Sequence, residues 1–141
     1  MESSIDRRKA VVGLGLGALG LAWLVSRKND RQRYDVPEVS LAIAKALMDA
    51  GALVIDVRNK DAFDYRHLPP AVLIPLAVLR AGIPASLAQD KARQIVVYCN
   101  DGHFTGPEAA HLLIQQGFTK VANMANGIEG WAGAGYPLVK A

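Results

Sequence analysis

The 141-residue chain has one cysteine, Cys99, and three histidines, His67, His103 and His111. A single cysteine excludes an intrachain disulfide and leaves the redox compartment open. Three scattered histidines and one thiol do not make the ligand set of a zinc centre, so no metal is expected. Internal repeats are absent, and so is any low-complexity tract beyond the Gly/Leu run near the N-terminus. A basic excess is also missing from most of the chain. Residues 34–141 carry nine Lys/Arg against ten Asp/Glu, a net −1 with no basic stripe. A nucleic-acid partner is therefore not expected. The full chain is 51% hydrophobic and 21% charged, the composition of one globular domain.

The basic excess sits in residues 1–33, where seven Lys/Arg face three Asp/Glu, a net +4. Within them, Ala10 to Val25 is a sixteen-residue stretch without a charge, bracketed by Arg7, Arg8 and Lys9 on one side and Arg27 and Lys28 on the other. Sixteen residues make about 24 Å of helix, short of the ~20 apolar residues of a usual span. Trp23 and snorkelling Arg and Lys side chains can cover the difference. A membrane anchor, a cleaved export signal and a buried core helix compete for this segment. Val25-Ser26-Arg27-Lys28 lacks the small-residue cleavage pattern, so an uncleaved hydrophobic helix is the expectation. The expected organisation is an anchor over 1–28, a linker over 29–34 and a folded domain over 35–141, with membrane contact through residues 10–25. Basic residues at both ends leave the orientation open. The expected setting is an inner membrane with the domain in the periplasm, and a cytoplasmic-facing domain is the alternative.

In residues 35–141, apolar runs alternate with helical segments. Asp35-Val36-Pro37-Glu38 is expected to open a helix whose apolar face is Leu41, Ala44, Leu47 and Met48, ending at Gly51. Strands are expected at 52–57, in the stretch before Pro75, at 94–99 and at 120–124. Helices are expected at 60–66, in two pieces over 76–90, and from Thr105 to Gln116. The Thr105 and Glu108 pair has capping-box spacing. Short apolar strands between helices predict a parallel sheet covered on both faces, with sites at the carboxyl ends of strands. Cys99 lies at such an end.

A buried free cysteine often serves only as a small hydrophobe. Here, however, the strand is followed by a loop containing Gly102 and then by a helix, which gathers backbone N–H groups around one point. Such a cradle favours a thiolate, the nucleophilic form. It would also hold a persulfide.

Three stretches resemble the rhodanese family. The first is LVIDVRNKDAFDYRHLPPAVLIPL, with Asp56-Val57-Arg58, Phe63, His67-Leu68-Pro69-Pro70-Ala71 and Ile74-Pro75. The second is IVVYCNDGHFTGPEAAHLLIQQGF around Cys99. The third is NGIEGWAGAGYPL, with Gly127, Trp131, Ala134-Gly135 and Tyr136-Pro137. Together they cover about residues 36–139 in order. The resemblance implies an α/β fold with a central parallel sheet flanked by helices. It also implies sulfur transfer: Cys99 as the catalytic nucleophile takes a sulfane sulfur from a donor such as thiosulfate and passes it to a thiol or cyanide. Asn100, Asp101, Gly102, His103, Phe104 and Thr105 would bind the substrate or persulfide, and Asp56 and Arg58 would support the site. No cofactor is implied. Phe104 stands where many members have Arg, Ala62 where many have Glu, and Pro70 and Asn126 replace usual glycines.

Other residues read as structural: Arg58 as an ion pair with Asp61 or Asp64, His67 as a hydrogen-bonded loop residue, His111 as exposed, and Trp131 and Tyr136 as packing. A phosphatase is excluded because the position six after Cys99 is Thr105, not the Arg that clamps a phosphoryl group. The rival function is a non-catalytic binding module tethered at a membrane. A redox sensor is weaker, because no second cysteine is present to resolve an oxidised Cys99.

Overall fold

The computed structural model describes residues 34–141 and the backbone of two short strands nearer the N-terminus. Those strands are β1 (Val11–Leu14) and β2 (Ala22–Val25), paired antiparallel. The single hydrophobic helix expected over 10–25 is therefore replaced, in its described parts, by extended chain. Gly13, Gly15, Gly17 and Gly20 each weaken a helix by about 1 kcal/mol, and Val11, Val12 and Val25 suit a strand. Among the described residues, no helix is long and apolar enough to cross a membrane. The rest of the expected anchor, and the linker up to residue 33, lie outside the described residues.

The described part of the domain begins at Tyr34, a residue expected in the linker. Tyr34 packs on the core, its ring 4.7 Å from that of His111, which is half-buried rather than exposed. The elements then run β3 (Glu38–Val39), α1 (Leu41–Asp49), β4 (Leu53–Asp56), α2 (Lys60–Tyr65), β5 (Arg66–His67), β6 (Ala71–Leu73), α3 (Leu76–Ala81), α4 (Ala85–Ala88), β7 (Ile95–Tyr98), α5 (Thr105–Gln115), β8 (Val121–Met124), α6 (Gly127–Gly133) and β9 (Val139–Lys140). Five parallel strands form one sheet in the order β3-β8-β7-β4-β6.

Two local expectations are corrected. The first helix does not open at Asp35. Glu38 and Val39 pair with Asn123 and Met124 as an edge strand, and Ser40 caps the helix, its side chain accepting from Ile43 N at 3.2 Å. Pro37 tolerates the edge because its carbonyl, not a missing N–H, serves the ladder by accepting from Asn123 N at 2.9 Å. Nor does Thr105 cap α5. Phe104 occupies the cap position without a side-chain hydrogen bond, and Glu108 instead accepts from Arg80 Nε and Nη2 at 2.8 and 2.7 Å.

The strand period of two divides β7 between two cores. Ile95, Val97 and Cys99 face Leu79 of α3 and Ala109, Ala110 and Leu113 of α5. Val96 and Tyr98 face Ala44 of α1 and Ile128 and Trp131 of α6. Each fully buried large apolar side chain contributes ~1.5–3 kcal/mol. The tail returns: β9 pairs antiparallel with β5, Tyr136 packs on Trp131 with ring centroids 4.5 Å apart, and Trp131 Nε1–H donates to Pro137 O at 2.8 Å.

After β4 the chain moves to β6 on one side of the sheet. After β7 it moves to β8 on the other. The order reverses between β4 and β7, which opens a crevice outside their carboxyl ends. Asp56 and Cys99 both lie there.

Candidate active site

Cys99 follows β7 directly and is 4% exposed. Gly102 N–H donates to its Sγ at 3.3 Å, and the backbone amides of Gly106 and Asp101 lie close enough to favour its charged form. Gly102 has φ +86°, a left-handed conformation natural to glycine. A Cβ there would meet Asn126 N at 2.8 Å.

The loop is pinned from below by the start of α6. Ile128 N–H donates to Cys99 O at 2.9 Å, and Glu129 N–H to Asn100 O at 3.0 Å. With both carbonyls turned to α6, the N–H groups of the same trans peptides point the opposite way. Gly127 makes this approach possible. Its φ is +56°, and a Cβ would stand 2.4 Å from Asn100 O.

A second network joins β4 to β7. Asp56 is fully buried and accepts from Arg58 N and Nε at Oδ1 (2.9 and 3.0 Å) and from Arg58 Nη2 and Tyr98 Oη at Oδ2 (2.8 and 2.7 Å). Tyr98 Oη in turn accepts from Leu68 N at 3.2 Å. Arg58 Nη2 also donates to Arg66 O at 2.6 Å, and Nη1 reaches Asn100 Oδ1 at 3.4 Å. The ion pair of Arg58 is thus with Asp56, not with Asp61 or Asp64. The reason is geometric: the chain turns sharply after β4 and folds the guanidinium back over the carboxylate at its strand end. Burial opposes the Arg58 charge, but the Asp56 hydrogen bonds outweigh it and hold the guanidinium firmly protonated. Burial first, and then Asp56, push the Tyr98 phenol well above its ordinary range.

The sulfur itself departs from expectation. Burial pushes the Cys99 thiol up, the amides of Gly106, Gly102 and Asp101 pull it down, and the Asp101 carboxylate adds to the rise. The net direction is upward, opposite to the lowering that the cradle alone would give. Desolvation of a nearly enclosed sulfur outweighs hydrogen bonds of ordinary strength.

A cleft of ≈ 340 Å³ opens onto Cys99. Asn100, Asp101, Phe104 and Thr105 line it together with Arg58 and Ala62. Phe104 is 65% exposed at the rim. Gly102 is buried beneath and contributes its N–H. His103 does not line the cleft. Its N–H donates to Asp101 Oδ1 at 2.9 Å, and its ring lies near Glu38 and edge-on to Phe104. His67 stacks on Phe63, and its Nδ1 lies 2.8 Å from Phe63 O, away from the sulfur. Among the described residues no group of three or more His, Cys, Asp or Glu could hold a metal ion.

Sequence reasoning passed over Tyr98, Gly106 and Asn123. Asn123 carried a signal, as the one polar side chain in the buried strand Val121–Met124.

Fold and site together define an α/β domain that presents a lone cysteine to main-chain amides where its parallel sheet reverses order. The chain belongs to the rhodanese family: the family model described as a rhodanese-like domain matches residues 40–134. A sulfurtransferase of Allochromatium vinosum is 30% identical over 102 residues, spanning 71% of this chain and 91% of that protein. The thiosulfate sulfurtransferase GlpE of Pseudomonas syringae pv. syringae is 33% identical over 88 residues, 62% of this chain and 79% of that protein. Among solved structures, the human single-domain sulfurtransferase TSTD1 aligns with a TM-score of 0.61 at 25% identity, over 68% of this chain and 95% of that one.

Proposed function

We propose that the domain is a sulfurtransferase that carries a sulfane sulfur as a persulfide on Cys99. The observation that carries this reading is the cradle: Gly102 N–H at 3.3 Å from Sγ, joined by the amides of Asp101 and Gly106, at the mouth of a cleft. The thiol of Cys99 loses its proton, and its sulfur attacks the outer sulfur of a donor R–S–SH. A new S–S bond forms as the donor's S–S bond breaks. The donor leaves as RS⁻ with the electron pair and takes up the proton. An acceptor thiolate then attacks the outer sulfur of the persulfide, and Cys99 departs as a thiolate onto the amides. Nothing is oxidised or reduced overall. A persulfide proton is more acidic than a thiol proton, so a cradle that does not offset the burial of the thiol still suits the charged intermediate.

The donor class follows from charge. Among the described residues, Arg58 is the one cation lining the cleft and is already paired with Asp56, while Asp101 adds a negative charge. A dianion such as thiosulfate is poorly served. An organic persulfide can lay its apolar body on Phe104 and Ala62. The test is mass spectrometry after incubation with glutathione persulfide, polysulfide or thiosulfate, where the protein gains one sulfur and Cys99→Ser does not.

A second reading, a binding module without chemistry, draws on the burial and upward shift of the thiol. It is favoured if Cys99→Ser behaves as wild type in the cell. The apolar, basic-flanked segment 10–25 is proposed as the membrane-contacting part, facing the domain to the periplasm. Fractionation with a protease-access assay tests it, and recovery in the soluble fraction contradicts it.

A further inference from the structure

Asn123 lies on β8, opposite Val97 of β7, and is fully buried. Its side chain does two things under the loop. Nδ2 donates to Gly102 O at 3.0 Å and to Glu38 Oε1 at 3.3 Å. These two acceptors fix the amide's orientation and leave Oδ1 aimed the other way. Oδ1 is buried and accepts no hydrogen bond among the described residues. It abuts Gly106: the point a Gly106 Cβ would occupy is 2.1 Å from Asn123 Oδ1 and 3.3 Å from Cys99 Sγ. A buried amide oxygen left without a partner is disfavoured. It is retained here against the residue that stands between it and the sulfur.

Resting on the sulfurtransferase reading of the same site, we propose that Asn123 is its positioning residue, clamping the Gly102 carbonyl and bearing on Gly106 so that their peptide N–H groups stay aimed at Cys99 Sγ. Asn123 touches no substrate. It acts through the loop. Its Nδ2 holds one end of the 102–106 turn, and its Oδ1 sets the depth at which the other end rests. Glu38 completes the arrangement by keeping the amide from flipping. Gly106 is bound to glycine for the same reason, since a methyl group has no room between Oδ1 and the sulfur.

The experiment follows the alkylation rate of the single cysteine against pH in the full chain, with circular dichroism to check folding. In Asn123→Ala the thiolate fraction at neutral pH falls about tenfold, the loss expected for one misdirected hydrogen bond to a charged sulfur. In sulfur transfer from an organic persulfide, kcat falls and KM stays. Gly106→Ala, which pushes on the loop from the opposite side, gives the same displacement, and the double variant is no worse than either single. Asn123→Ser, too short to reach Gly102 O, serves if Asn123→Ala does not fold. A folded Asn123 variant with the alkylation profile of wild type and a lowered melting temperature alone overturns the proposal. Alkylation needs no sulfur transfer. A protein that never forms a persulfide would defeat the activity while leaving this assignment to stand or fall by itself.

Discussion

Arg58→Met tests the network that ties β4 to β7. The substitution keeps most of the side-chain volume and removes the guanidinium. Asp56 then loses three hydrogen bonds, from Nε at 3.0 and 3.2 Å and from Nη2 at 2.8 Å, and keeps only the Arg58 backbone N–H and Tyr98 Oη. Asp56 is fully buried and Arg58 is 8% exposed, so little water is available to replace them. Breaking a buried pair from one side is destabilising by about 3–5 kcal/mol. That is a large part of the ~5–15 kcal/mol of a typical domain. Urea denaturation at neutral pH reads the loss as a shift in midpoint at unchanged slope. Asp56→Asn in the Arg58→Met background removes the stranded charge, so the double variant is more stable than the sum of the single losses by at least ~1 kcal/mol. Additive losses, or a loss below about 1 kcal/mol for Arg58→Met, would refute the idea that Asp56 depends on the guanidinium.

Three further outcomes follow from the site. The Cys99 thiol is pushed up in the folded chain, so it stabilises the fold while protonated; that contribution is present below the ordinary thiol pKa and is lost as pH rises through the folded value. Urea midpoints of wild type therefore decline more steeply in mildly alkaline solution than those of Cys99→Ser, and parallel declines would contradict the shift. Gly127→Ala forces a methyl group to 2.4 Å from Asn100 O at a positive φ and lowers stability by roughly 2 kcal/mol or more, read by thermal melting. Phe104→Arg adds to the cleft a second cation, beside the Arg58 that Asp56 already engages, and shifts the ratio of kcat/KM toward thiosulfate about tenfold over an organic persulfide, an effect that salt weakens.

The inner strands were legible because each is a short apolar run ended by a turn: Leu53–Asp56, Ile95–Tyr98 and Val121–Met124 all announce themselves. The edge strand Glu38–Val39 and the pair Arg66–His67 with Val139–Lys140 did not. Two residues carry no period, and only the partner across the ladder makes them strands. The same limit governs the site. Cys99 and its glycine loop are local and could be read from one stretch. The amides of α6 beneath them, Tyr98 on Asp56, and Asn123 under Gly102 come from 21 to 42 residues away or from another strand. The upward shift of the Cys99 thiol is hidden from the sequence for a related reason. Amide donors follow from the loop, whereas desolvation depends on how completely α5 and the sheet enclose the sulfur.

The central claim is that Cys99 carries sulfur. Intact-mass measurement of the full chain after brief exposure to glutathione persulfide tests it most directly. The account predicts a gain of one sulfur, removed by reducing thiols and absent from Cys99→Ser. An unchanged mass with that donor, with polysulfide and with thiosulfate would contradict it.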